Sequence, residues 1–244
     1  MSTILVIEDN NELQHYLVTV LRSGGHQAFG VSTCAKGIET AKAQNFAIDL
    51  LLLDVQVTDG TAFDFLEKVK IENPMFDPKI CFVSSRRDSE TVKKAVAMGA
   101  SDYIVKPVLS GTLLAKVNTL LGGKDQGEKF SSASCSFQAV LAGSDAVQPD
   151  LLITQVSETG VIIRSSAHLQ EGALVHLIVD ELQQIIELES EHLIFRIGKC
   201  EKMSWGKYQI EASFVGLPEE KVVKLRSFTI KGNFLGDSSA RKPA

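Results

Sequence analysis

No apolar run in this 244-residue chain approaches the ~20 residues that a bilayer-spanning helix needs, so membrane insertion is not expected. No basic stretch followed by an apolar one and a cleavage site opens the sequence; it goes straight into a strand, and export is not expected either. Cys34, Cys81, Cys135 and Cys200 are scattered without a C-x-x-C spacing, which excludes a disulfide framework and fits reduced thiols in the cytoplasm. His15, His26, His168, His176 and His192 include no pair at metal-ligand spacing and read as surface or packed residues. An arginine-rich stripe is missing, and the net charge is −5, which counts against nucleic acid as a partner. No helix-turn-helix with a basic recognition helix is visible, nor any internal repeat.

What is present suggests two modest domains, with 44% hydrophobic residues to build their cores. The first half alternates strand and helix through five rounds. Strands are expected at Thr3–Ile7, Gln27–Val31, Ile48–Leu53, Lys79–Val83 and Ser101–Val105. Helices are expected at Asn10–Arg22, Cys34–Gln44, Thr61–Ile71, from Asp88 or Ser89 to Met98, and at Ser110–Leu121. Such alternation predicts a doubly wound five-stranded parallel sheet of flavodoxin-like size. The central run ends in Asp54 and is almost unbroken Leu, as expected for a strand buried on both faces. Alone, Asp54 reads most simply as a cap for the next helix. Other strand ends change that reading: the first runs into Glu8-Asp9, the fourth into Ser84, the fifth into Lys106.

Carboxylates at strand ends converge at the sheet edge where open α/β folds bind ligands. Crowded carboxylates repel, a divalent cation relieves the repulsion, and hard oxygen donors favour Mg²⁺. A lysine beside a metal neutralises phosphoryl oxygens, Ser84 can donate to one, and Asp54 becomes the natural nucleophile.

On these residues, 1–122 resemble a bacterial response-regulator receiver domain (CheY-like). The resemblance implies Asp54 as phosphoacceptor and a Mg²⁺ site made by Glu8, Asp9, Asp54 and the main-chain carbonyl of Gln56. It implies Lys106 as the phosphate-pairing lysine, Ser84 and Tyr103 as the switch pair, and a cis Lys106-Pro107 bond. A sensor histidine kinase is the implied phosphodonor. Phosphorylation is then expected to bias the face made by the fourth helix, fifth strand and fifth helix. Val92, Ala95, Val96 and Gly99 form a small apolar stripe on that helix, for core packing or a homodimer contact. Thr58 and Ala62 depart from the usual proline and glycine of the loop after the phosphoacceptor.

The glycine-rich, charged stretch from Gly123 reads as a linker over 123–133. A second domain is expected over 134–233, with a polar tail over 234–244. Its short β-like runs are Leu151–Val156, Val161–Arg164, Ala173–Val179, Ile185–Leu188, Leu193–Met203 and Lys207–Val215, closed by a helix at Pro218–Ile230. Turns are expected at Ser157–Gly160 and Ser204–Gly206. This is a small antiparallel barrel or sandwich. Gln155, Ser157 and Gly160 resemble the (D/N)-x-S-x-x-G segment of PilZ domains, barrels that often bind cyclic di-GMP. The arginine pair that would grip its phosphates is missing, because no arginine lies between Leu109 and Ile163. Cyclic di-GMP is therefore not the expected ligand. The expectation is a response regulator, not an enzyme beyond its own phosphoryl transfer, whose PilZ-like domain acts on an unidentified downstream protein. The alternative is a dual-input regulator that also binds cyclic di-GMP.

Overall fold

The structure is a computed structural model that describes residues 1–85, 89–122, 132–143, 148–188, 192–203 and 206–236. The chain divides into two compact units, Met1–Gly127 and Glu128–Ala244.

The first unit runs β1 (Thr3–Ile7), α1 (Asn11–Ser23), β2 (Gln27–Val31), α2 (Cys34–Ala43), β3 (Leu50–Asp54), β4 (Gln56–Val57), β5 (Gly60–Thr61), α3 (Ala62–Glu72), β6 (Lys79–Ser84), α4 (Ser89–Ala97), β7 (Asp102–Val105) and α5 (Ser110–Leu120). Five parallel strands lie in the order β2-β1-β3-β6-β7. This order reverses direction between β1 and β3, which opens a crevice at their carboxyl ends. Leu50, Leu51, Leu52 and Leu53 are fully buried because helices cover both faces of the sheet. Alternate residues Ile4, Val6, Leu50, Leu52, Cys81, Val83 and Ile104 pack with Leu17, Leu21, Leu113 and Val117 of α1 and α5. On the other face α2 approaches so closely that a Cβ on Gly37 would meet Ile7 Cδ1 at 2.5 Å. Asn10 caps α1 and Thr33 caps α2, each accepting an amide of the first turn. Thr61 and Asp64 form a reciprocal capping box on α3. The two-residue hairpin β4–β5 directly after Asp54 was not foreseen.

The second unit runs β8 (Ala133–Leu141), β9 (Leu151–Val156), β10 (Gly160–Ser165), β11 (Leu174–Ile178), α6 (Asp180–Ile185), β12 (Leu193–Lys202), β13 (Tyr208–Phe214) and α7 (Glu219–Gly236). Its strands pair antiparallel round a closed barrel, β10-β13-β12-β11-β8-β9. Closure removes sheet edges, and irregularities of register in three of the ladders accommodate the bending it needs. Ile153, Val156, Ile163, Leu177, Phe195 and Ile210 fill the interior. Leu225 of α7 is fully buried in that core, and Phe228 lies against Phe137 of β8 with ring centroids 6.2 Å apart.

Three expectations for this half differ from the structure. β8 starts at Ala133, inside the stretch read as linker; its buried positions are largely small, so alternation over Ala133, Cys135, Phe137 and Ala139 gave little hydrophobic signal. Ile185–Leu188 is not a strand but the end of α6 and the turn after it. Leu182, Ile185 and Ile186 recur at helical spacing, and Leu182 and Ile186 are fully buried that way. α7 runs to Gly236, into the stretch read as tail. Linker residues 123–131, Asp88, and Ser204 and Trp205 of one expected turn lie outside the described residues.

Candidate functional site

Parallel strands deliver their last residues to one edge, and the chemistry collects there. Glu8 and Asp9 follow β1, Asp54 ends β3, Ser84 ends β6 and Lys106 follows β7. One carboxylate oxygen from each of Glu8, Asp9 and Asp54 lies within 4.8 Å of the others. Lys106 Nζ donates to Asp54 Oδ2 at 2.7 Å and sits 2.7 Å from Glu8 Oε2. The Gln56 amide donates to Asp54 Oδ1 at 3.2 Å, which folds the β4 backbone toward the acids.

One ammonium does not balance three carboxylates. At an effective dielectric near 20, two of them at this spacing repel by about 3 kcal/mol. Burial holds the Glu8 carboxyl above its ordinary 4.5, outweighing the pull of Lys106. Burial also opposes charge on Lys106, yet its hydrogen bond to Asp54 and the charge of the Glu8 carboxylate beside it win and raise its pKa above 10.5. Glu8 Oε2 is buried and makes no aligned hydrogen bond despite its nearness to Lys106. A buried carboxylate oxygen without an aligned donor, beside two more acids, suits a hard divalent cation such as Mg²⁺. Among the described residues, no other group of three His, Cys, Asp or Glu side chains could hold a metal.

Ser84 and Tyr103 are both buried, with Tyr103 stacked on Phe82 at 6.3 Å between ring centroids. The Lys106 amide donates to the Ser84 carbonyl at 2.9 Å, and Lys106-Pro107 is cis. One pair here was not expected. Lys116 Nζ of α5 donates to both oxygens of buried Asp102, at 3.0 and 2.8 Å, and ties α5 to the start of β7 just before Tyr103. A 14-residue separation across two elements leaves no local pattern to find it by.

The structure places Gln155, Ser157 and Gly160 differently. Ser157 Oγ accepts the Gly160 amide at 3.2 Å and donates to the Gly160 carbonyl at 3.1 Å, so its hydroxyl closes the β9–β10 turn. Gly160 lies so close to β13 that a Cβ would meet the Ala212 carbonyl oxygen at 2.1 Å. Gln155 is exposed on β9. The acid between them, Glu158, takes a bidentate pair from Arg226 of α7 at 2.7 Å for each bond. Arg226 went unnoticed in the sequence because 68 residues separate it from its partner.

Residues 4–118 match the sequence model of the response regulator receiver domain. The first unit is a receiver domain. Among its curated relatives, the transcriptional regulatory protein AfsQ1 of Streptomyces coelicolor is 26% identical over 147 residues, 60% of this chain and 62% of that protein. The transcriptional regulatory protein SpaR of Bacillus subtilis is 29% identical over 121 residues, 50% of this chain and 52% of its own length. This chain thus spans between about half and six-tenths of the length of these relatives. Of the solved structures, the chemotaxis protein CheY4 of Vibrio cholerae is similar at 23% identity and a TM-score of 0.46, covering 50% of this chain and 99% of that one. Among the described residues, no helix is long and apolar enough to cross a membrane.

Proposed function

We propose that this chain is a two-component response regulator phosphorylated on Asp54 by a sensor histidine kinase. The observation that supports it most is the convergence of Glu8, Asp9 and Asp54 with Lys106 Nζ 2.7 Å from the Asp54 carboxylate. An Asp54 oxygen attacks the phosphorus of the kinase's phosphohistidine. The P–N bond breaks, the imidazole leaves, and an acyl phosphate forms on Asp54. Lys106 moves its pairing from the carboxylate to a phosphoryl oxygen. Glu8, Asp9, Asp54 and the Gln56 main-chain carbonyl would hold Mg²⁺, which when bound neutralises phosphoryl charge. Ser84 donates to the phosphoryl group, Tyr103 shifts with it, and the face of α4, β7 and α5 carries the change.

The output is a PilZ-like barrel that works through contacts with a downstream protein in the cytoplasm. Its closed antiparallel pairing and S-x-x-G turn support the likeness. The Glu158–Arg226 pair supports the protein-contact reading over cyclic di-GMP, since this guanidinium already grips a carboxylate. The relatives are named transcriptional regulators, so DNA is the reading to exclude; a net charge of −5 speaks against it here. Salt-dependent retention on DNA would revive it.

The test is phosphorylation by a small-molecule phosphodonor with Mg²⁺. Mass spectrometry should find one added phosphoryl group on the unaltered protein and none on Asp54→Asn. Labelling that survives the substitution refutes the assignment. Calorimetric titration with cyclic di-GMP should give no heat; saturable binding would establish the dual-input alternative instead.

A further inference from the structure

The loop after Asp54 has to be held still if its backbone is to serve the acidic pocket. Its hairpin turns at Thr58 and Asp59, with Val57 paired to Gly60. Neither turn residue takes a positive φ, and the Thr58 side chain leaves its own φ unlocked. Rigidity comes from elsewhere. Asp59 Oδ1 accepts the Cys34 amide at 2.8 Å, and Oδ2 accepts the Ala35 amide at 3.0 Å. These are the first two amides of α2, which lack helical partners; Thr33 supplies the next, for Lys36. The carboxylate also faces the positive end of the helix dipole. The same junction carries a second tie, from Cys34 Sγ to the Thr61 carbonyl at 3.5 Å. An exposed loop residue is therefore anchored, 25 positions back in sequence, to a helix packed on the sheet.

We infer that Asp59 is a positioning residue: by gripping the N-terminus of α2 it fixes the β4–β5 hairpin, and with it the Gln56 backbone beside Asp54. This rests on the Asp54 phosphoacceptor reading. Asp59 touches no reacting atom and acts only through the hairpin. Loss of the grip lets the hairpin drift, weakening Mg²⁺ binding and changing the lifetime of the acyl phosphate, while the sheet stays folded. A proline at position 58 should restore the lost stiffness by another route, because the first central residue of a turn with negative φ is where proline fits. The preceding Val57 is already extended, as proline requires of its neighbour.

The experiment compares the full chain with Asp59→Ala, Asp59→Asn and the double variant Thr58→Pro/Asp59→Ala. Mg²⁺ affinity is read by calorimetry, phosphoryl lifetime by radiolabel loss, and folding by circular dichroism. Asp59→Ala should bind Mg²⁺ about tenfold more weakly, the scale of loss when a partner that orients a ligand is removed. Asp59→Asn, which keeps an acceptor, should fall between. The double variant should recover to within about threefold of the unaltered protein, a rescue that a purely local cap would not show. Unchanged affinity and lifetime in Asp59→Ala would overturn the inference, as would a loss that Thr58→Pro fails to relieve. Absence of Mg²⁺ binding in the unaltered protein, with labelling retained by Asp54→Asn, would overturn the phosphoacceptor reading itself and this inference with it.

Discussion

The acid pocket of the receiver and the β9–β10 turn of the barrel both place polar residues of a recognisable pattern at strand ends. They differ in what those groups have left to offer. In the turn, Ser157 bonds to Gly160 through both its hydroxyl and its backbone, and Glu158 is matched by Arg226. In the pocket, three carboxylates gather where one ammonium pairs with only two of them, Glu8 and Asp54, and Glu8 Oε2 is buried with no aligned donor. Polar groups that satisfy each other hold a fold together. Groups that do not are kept at a cost in stability, and such sites are where ligands and chemistry belong.

That contrast predicts opposite signs for substitutions in the two places. The largest effect should come from Gly160→Ala, whose methyl would meet the Ala212 backbone oxygen at 2.1 Å with no flexible side chain to give way. A loss of about 3 kcal/mol or more is expected, visible as a lower urea midpoint for the barrel's transition. A variant as stable as the parent would mean that the turn is not tightly packed, and would reopen it as a binding element. Glu158→Ala should cost less, about 1–2 kcal/mol, because Arg226 is 39% exposed and water can solvate it once its partner is gone. A double-mutant cycle with Arg226→Ala measures the pair itself. Coupling near zero would show that the guanidinium is not committed to Glu158.

The smallest effect should have the other sign. Glu8 holds its proton more tightly folded than unfolded, so its contribution to stability is fullest below 4.5 and declines as pH rises through its folded value. Glu8→Gln should therefore stabilise the metal-free protein at neutral pH by roughly 1 kcal/mol and flatten its decline above pH 4.5. The same variant should bind Mg²⁺ more weakly. Denaturant melts at acid and neutral pH, with a chelator present, check both. A destabilised Glu8→Gln would show that Lys106 needs both acids, and that the pocket is a structural ion-pair cluster.

The receiver was legible because its signals are local and redundant. Leu50 to Leu53 mark a strand buried on both faces, and five alternations leave almost one topology once crossovers are right-handed. Glu8, Asp9, Asp54, Ser84 and Lys106 could be placed at one edge because parallel strands all end there. The barrel was legible only in part. Ala133–Leu141 is a strand whose only buried positions are two alanines, with Cys135 and Phe137 half-buried between them, and Ile185 belongs to a helix whose apolar spacing shows only once Leu182 and Ile186 are seen to be inward.

By itself the sequence determined which residues end which strands of the receiver, and so which charges must meet. Strand periodicity and the one-way connectivity of a parallel sheet leave little freedom in that. Only the tertiary structure decided that Asp59 holds α2, that Lys116 holds Asp102, and that Arg226 holds Glu158. Each is a hydrogen-bonded contact between segments at least 14 residues apart, fixed by how elements pack and not by any spacing along the chain.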